Sequence, residues 1–265
     1  MKVFVFIVMA LCLLFFCPFQ LLAQSQKKIN HQTQTWFSLN NTIRLKNKFG
    51  LLADFHVRRN DFAAEPSFYL VRWGLNYWLK NNIAFAFGYA HMWVSPGKHG
   101  YKTYADENRI YEQAQITSNI GKMIFLQRLR NEQRWQEILV NDQSTHQNKF
   151  TNRVRYLISS TIAVTKNKNV PSLVLSNEFC IQFGKAIVYN TFDQDRLFIG
   201  IKQNITKHLA LTSAICWCSN KKPPDMCMMR MILSVVSFII HLTGDENISN
   251  FCQTNLVNTI SICFN

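Results

Sequence analysis

The chain has 265 residues, of which 48% are hydrophobic and only 17% charged. That balance excludes an intrinsically disordered protein, which combines low hydrophobicity with high charge. A formal charge of +14 would suit a nucleic-acid partner on its own, but the N-terminus directs the chain away from nucleic acid.

Residues 1–23 read as an export signal. Lys2 supplies the positive start, Val3 to Cys17 is an apolar run, Pro18 breaks it, and Leu21-Leu22-Ala23 offers a small residue for cleavage before Gln24. The run is short for a spanning helix, and neither Cys12 nor Cys17 has the surroundings of a lipoprotein signal. An exported basic chain meets phosphate-bearing lipid headgroups or an anionic solute, so no nucleic-acid partner is expected. Past residue 23 no run of about 18 apolar residues remains to make a helical span. Only Cys180 lies between residues 24 and 215, and Cys216-x-Cys218 lacks the second pair that a metal site needs. No metal or cofactor is expected.

From residue 34 to 215 the dominant pattern has period two, the signature of strands. Leu51, Ala53, Phe55 and Val57 alternate with Asp54, His56 and Arg58. Tyr69, Val71, Trp73, Leu75, Tyr77 and Leu79 oppose Arg72, Gly74, Asn76 and Lys80. Ile83, Phe85, Phe87, Tyr89, His91 and Trp93 oppose Ala84, Ala86, Gly88 and Ala90. Leu173, Leu175, Phe179, Ile181 and Phe183 oppose Ser176, Glu178 and Gln182. The pattern predicts strands near 34–45, 49–59, 67–80, 83–94, 108–119, 122–135, 149–165, 172–183, 195–206 and 208–216. Most match the roughly 9–11 residues of a tilted membrane strand.

Short connections, such as Lys46-Asn47-Lys48, Lys80-Asn81-Asn82 and Asn119-Ile120-Gly121, alternate with long ones at 60–66, 95–107, 136–148 and 184–193. That is the layout of an outer-membrane barrel, with short periplasmic turns and longer outer loops. The first strand would then descend from the long-loop side, and residues 25–33 are the candidate ascending segment before it. A water-soluble β-sandwich also alternates. Two features favour the membrane: Trp36, Trp78, Trp93 and Trp135 fall toward strand ends, as in an interfacial girdle, and charge sits in mid-strand, as in a wet barrel interior.

The texture changes after residue 215. Lys221-Lys222-Pro223-Pro224 interrupts the expected strand, four methionines cluster from Met226 to Met231, and Ile232 to Leu242 is an unpatterned apolar run. Read one base out of frame, residues 222 onward can encode ATGYVYDENDTFSCFFYYSPDW followed closely by a stop, a polar loop and then an aromatic closing strand. The expected organisation is a signal peptide (1–23), a barrel domain (24–215) and an aberrant, frame-shifted tail (216–265).

Several segments carry a family likeness. They are Gln34-Thr35-Trp36-Phe37-Ser38, Arg58-Arg59-Asn60, Asn108-Arg109-Ile110-Tyr111-Glu112-Gln113, Arg128-Leu129-Arg130-Asn131-Glu132-Gln133-Arg134-Trp135, and Asn152-Arg153-Val154-Arg155-Tyr156. With them the chain, over about residues 34–215, resembles the domain of unknown function 2490 family of Bacteroidetes. The resemblance implies an outer-membrane barrel and carries over no catalytic residue.

The expected fold is therefore all-β: an antiparallel membrane β-barrel of about 10–12 strands with an irregular or disordered C-terminal tail. With apolar side chains toward lipid, the interior set comprises Arg44, Asp54, His56, Arg58, Arg72, Arg128, Arg130, Glu132, Arg134, Arg153, Arg155 and Glu178. Arginine stays charged and bridges carboxylates bidentately, so the set can brace the barrel or attract anions. A structural or transport barrel is the leading expectation. A lipid-modifying outer-membrane hydrolase and a periplasmic β-sandwich binding protein are the alternatives. For the hydrolase, His56, His91, His99 and His146 and Ser95, Ser118, Ser144 and Ser159 are available, but no local spacing pairs them and no G-x-S-x-G motif occurs. His91, beside Trp93, reads as an interfacial residue. Outer-membrane lipid is the expected partner, and Lys98, His99, Tyr101 and Lys102 form a basic loop suited to lipopolysaccharide phosphates.

Overall fold

Alternating side chains and short polar turns give the chain almost nothing but strand. The computed structural model describes residues 28–243, except 47, 166, 168–169, 189–190, 207–208 and 223–225. The expected signal peptide and the last part of the tail, 244–265, lie outside the described residues. Eleven strands follow one another: β1 (Lys28–Lys46), β2 (Phe49–Asn60), β3 (Glu65–Lys80), β4 (Ile83–Val94), β5 (Ala105–Ile120), β6 (Met123–Val140), β7 (Gln143–Ile162), β8 (Ser172–Phe183), β9 (Phe192–Asn204), β10 (Ala210–Lys222) and β11 (Met226–Thr243). Among the described residues no helix is long and apolar enough to cross a membrane.

β1 to β10 form an antiparallel meander, each strand beside its sequence neighbours, and β11 closes the ring between β10 and β1. The sheet is single and closed, so the two-sheet sandwich is not the fold. An up-and-down ring is antiparallel throughout only with an even strand count. Eleven strands leave one parallel seam, and it lies between β1 and β11. This answers the direction of the first strand. Residues 28–33 are not a separate ascending segment but the start of β1, whose parallel partner removes the need for one. Within the expected tail, Met226–Thr243 is strand.

A second correction concerns 136–148, expected as a long loop. β6 and β7 instead continue as a hairpin to a two-residue turn at Asn141-Asp142, with φ of 51° and 64°. Positive φ at both turn residues is the geometry of a type I′ turn, which matches strand twist, and Asn and Asp tolerate it better than most residues.

The wall is inverted relative to a soluble protein. Leu75 (61% exposed), Phe49 (58%) and Phe87 (57%) stand on the outer face, while Glu107, Glu132 and Glu178 are buried inside. Polar groups interrupt the apolar outer face: Glu112 accepts from Asn131 (3.1 Å) and Gln133 (3.2 Å), and Asp195 from Asn177 (2.8 Å). Of the four tryptophans expected in a girdle, Trp93 is outward and well exposed, and Trp135 shares the outward phase of β6, stacked on Phe150. Trp36 is corrected to the interior, 4% exposed. Trp78 is corrected too: its ring lies against Gly50, on the inner face, and carries the Arg44 guanidinium 4.8 Å above it.

Gly74 and Gly88 face each other across β3 and β4. A Cβ on Gly74 would meet the Phe87 carbonyl oxygen at 2.6 Å, and one on Gly88 would meet the Tyr111 hydroxyl at 2.7 Å. The glycine pair makes the slot in which Tyr111, on β5, is buried.

Candidate functional site: the charged interior

Period-two geometry sends every second side chain of β1 to β9 into the ring, where they line one cavity of about 270 Å³. Among the described residues nine arginines line it and five carboxylates pair with them, an excess of four positive charges.

The carboxylates act as shared anchors. Glu178, on β8, accepts from Arg128 of β6 (2.8 Å), Arg155 of β7 (2.7 Å) and Arg196 of β9 (2.8 Å). Glu132, on β6, accepts from Arg155 (2.8 Å), with Arg109 3.5 Å away, Arg130 3.8 Å and Arg153 3.9 Å. Glu107, on β5, accepts from Arg109 (2.7 Å), Arg134 (2.6 Å) and Gln136 (2.8 Å). Asp54 takes Arg72 at 2.6 Å, and Asp193 lies 2.8 Å from Arg153. Burial makes each of these charges costly unless paired, and sharing one carboxylate among several guanidinium groups satisfies the acids first.

Of the predicted interior set, all members except Arg44 gather in or at this cavity. Arg44 lies apart, against Trp78. Arg58 has no carboxylate among the described residues. Its guanidinium carbon lies 3.3 Å from the Trp36 ring centroid and 4.6 Å from that of Phe68. Tyr111 sits between Arg72 (5.6 Å) and Arg130 (5.1 Å). The sequence reading missed Glu107, Arg109, Asp193 and Arg196. Arg196 was findable, since Leu197, Ile199 and Ile201 mark the outward phase of β9. β5 gave no such signal, because its inward face mixes Tyr111 with Gln113 and its outward face mixes Ile110 with Glu112.

Among the serines and histidines considered for nucleophilic chemistry, Ser159 lines the cavity and Ser144 donates to Glu137. The serine that does meet a histidine is Ser38, whose Oγ lies 2.6 Å from His56 Nδ1. They are direct partners across β1 and β2, and both line the cavity. His91 is on the outer face, ring centroid 4.4 Å from that of Trp93 and Nδ1 2.8 Å from Asn108 Oδ1. Among the described residues no cluster of side chains is arranged to hold a metal ion.

Outside the wall, the β4–β5 loop is fastened to the β6–β7 hairpin. Asp142 accepts from the backbone N–H groups of Lys102 (3.0 Å) and Thr103 (2.8 Å), which hold its carboxyl below the usual range. The Asp106 N–H (3.0 Å) does the same for Glu137, aided by the Ser144 hydroxyl.

Residues 33–225 match the family described as protein of unknown function DUF2490. The chain belongs to that family. No curated protein and no solved structure matches it. The family match holds every charged residue of the cavity and stops one residue before β11.

Proposed function

We propose that this member of the DUF2490 family is an exported outer-membrane β-barrel whose interior binds and admits small anions. One observation carries the reading: arginines in excess of carboxylates inside a closed sheet whose outer face is apolar. A low-dielectric wall focuses the field of uncompensated charge, raising the local concentration of anions, and rings of Arg or Lys are the usual selector in anion pores. The basic loop at Lys98, His99 and Lys102 is the proposed contact with lipopolysaccharide phosphates.

Membrane fractionation and planar bilayers test this together. The protein is expected in the outer-membrane fraction, with a heat-dependent gel shift, and to show anion selectivity under a KCl gradient. Recovery in the soluble periplasm overturns the location, and cation selectivity or absence of conductance overturns the pathway.

The Ser38–His56 bond favours a second reading, an ester hydrolase. Ser38 Oγ would attack the ester carbonyl carbon as His56 Nδ1 takes its proton. That proton would pass to the departing alcohol, and water would then release the acid by the same route. Ester turnover that disappears in Ser38→Ala supports it; turnover unchanged in that variant removes it.

A further inference from the structure

We infer that the cavity holds one specific site for a tetrahedral dianion of the phosphate class, built on Arg58 and Arg130. This deepens the anion reading above and rests on it only for access from solvent.

Arg72 is matched by Asp54, and Arg155 by Glu178 and Glu132. Arg58 is not matched by any described carboxylate. Aromatic contact engages the flat face of a guanidinium and leaves its in-plane N–H fork for an acceptor, and no described residue supplies one to Arg58. Arg130 gives two N–H groups to Gln113 Oε1, a neutral acceptor, while its Nη1 stays 3.8 Å from Glu132, beyond hydrogen-bond reach. Arg155 Nε is buried without an acceptor.

These groups face one space. Arg58, Arg130 and Arg155 line the same cavity, and Arg130 and Arg155 are direct partners across β6 and β7. An unmatched guanidinium, a second that reaches no carboxylate by hydrogen bond, and an unfilled donor on one cavity wall call for two negative charges and several acceptor oxygens on one compact ligand. Chloride offers neither, and a simple carboxylate offers one charge. Phosphate offers both, and Arg forks match its oxygens bidentately. About 270 Å³ admits phosphate or a small phosphomonoester, but not a two-chain lipid.

The test is calorimetric titration of the full folded chain in detergent, at constant ionic strength, with inorganic phosphate, sulfate, glycerol phosphate, acetate and chloride. Phosphate and sulfate are expected to bind at least about tenfold tighter than acetate and chloride. Arg58→Met and Arg130→Met should each weaken phosphate by about ten- to a hundredfold, the worth of a charge-assisted hydrogen bond. Arg59→Met, whose side chain bonds the turn carbonyls of Ala63 and Ala64, should not. Arg58→Lys, which keeps the charge, serves as a second variant should Arg58→Met not fold, and should retain the preference for divalent anions. Binding of glycerol phosphate would identify a phosphomonoester as ligand, and exclusion of it free phosphate; either supports the site. Equal affinity for all five anions, or Arg58→Met and Arg130→Met binding like the parent, overturns it. Phosphate binding without conductance keeps the site and removes the pathway, whereas anion conductance without phosphate preference does the reverse.

Discussion

Among the described carboxylates Glu178 accepts hydrogen bonds from the most guanidinium groups, and Glu178→Gln measures what the network contributes to stability. The carboxylate is 3% exposed and accepts hydrogen bonds from three guanidinium groups at 2.7–2.8 Å. Glutamine keeps one acceptor oxygen but removes the charge and turns an amide N–H₂ toward cations. Breaking a buried ion pair by removing one partner costs about 3–5 kcal/mol; here Arg128 and Arg196 lose their carboxylate at once, while Arg155 keeps Glu132. With a urea slope of about 2 kcal/mol/M, the unfolding midpoint should fall by roughly 1.5–2.5 M. Urea titration in lipid vesicles, with folded protein scored by heat-dependent gel mobility, reads this directly. Adding Arg128→Met should recover part of the loss, because Glu178 is the only ion-pair partner of Arg128 among the described residues, and contacting pairs couple by about 0.5–3 kcal/mol. A midpoint within about 0.25 M of the parent, equivalent to about 0.5 kcal/mol, would refute the reasoning: water in the cavity would then be screening the charges.

Gly88→Ala should destabilise the barrel by about 1–3 kcal/mol, since its Cβ would press on the Trp73 carbonyl and on the Tyr111 hydroxyl at 2.7 Å; the same urea titration checks it. The loop clamp at Asp142 should be pH-dependent. Its folded carboxyl titrates below its unfolded value, so the stabilisation is complete above the unfolded pKa of about 3.9 and is lost as pH falls through the lower folded value. The protection factors of the Lys102 and Thr103 amides should therefore hold at pH 5–7 and drop in stronger acid, whereas protection that persists unchanged into strong acid would count against the clamp. For the tail, sequencing the gene should reveal, in the shifted frame, the codons for a closing aromatic strand and then a stop; their absence ends the frame-shift proposal.

Strand existence and phase were legible wherever one face was uniformly apolar. β2, β3, β4 and β8 are such strands, and their inward residues Asp54, Arg72 and Glu178 were placed from alternation alone. Legibility failed where physics allowed both faces the same residue types. Tyr111 and Ile110 are both large, and only the space left by Gly88 on the neighbouring strand and Gly74 on the one beyond decides that Tyr111 turns inward. Trp36 misled for a related reason: it looks like lipid-facing girdle, but inside it covers Arg58 and gives its indole N–H to Gln34 at 2.8 Å. The β6–β7 hairpin was hidden because its tip carries Asn-Asp without glycine, flanked by the polar stretch Gln143 to Lys149 that reads as loop. Ser38 and His56 lie eighteen residues apart and meet only through strand register.

The shared carboxylates come from strands away from the seam, which the site approaches through Trp36 of β1, the ring that carries Arg58. Glu107 joins β5 to β6, Glu132 joins β5, β6 and β7, and Glu178 joins β6, β7, β8 and β9. Asp54 joins β2 to β3, and Tyr111, set in the glycine slot of β3 and β4, carries the connection across to β5. Because charge pairs of this kind are lost if one strand slips by a residue and turns its side chains outward, the network fixes register from β2 to β9. Among the described residues none of its charges comes from β10. All lie within the residues matched to the DUF2490 family and precede the change of texture after residue 215. Replacing the tail by the shifted-frame strand should therefore change how firmly the ring closes while leaving the Arg58–Arg130 site unchanged. Equal phosphate affinity in the two versions, with different urea midpoints, is the expected pairing. A change in affinity would mean that the seam reaches into the cavity after all.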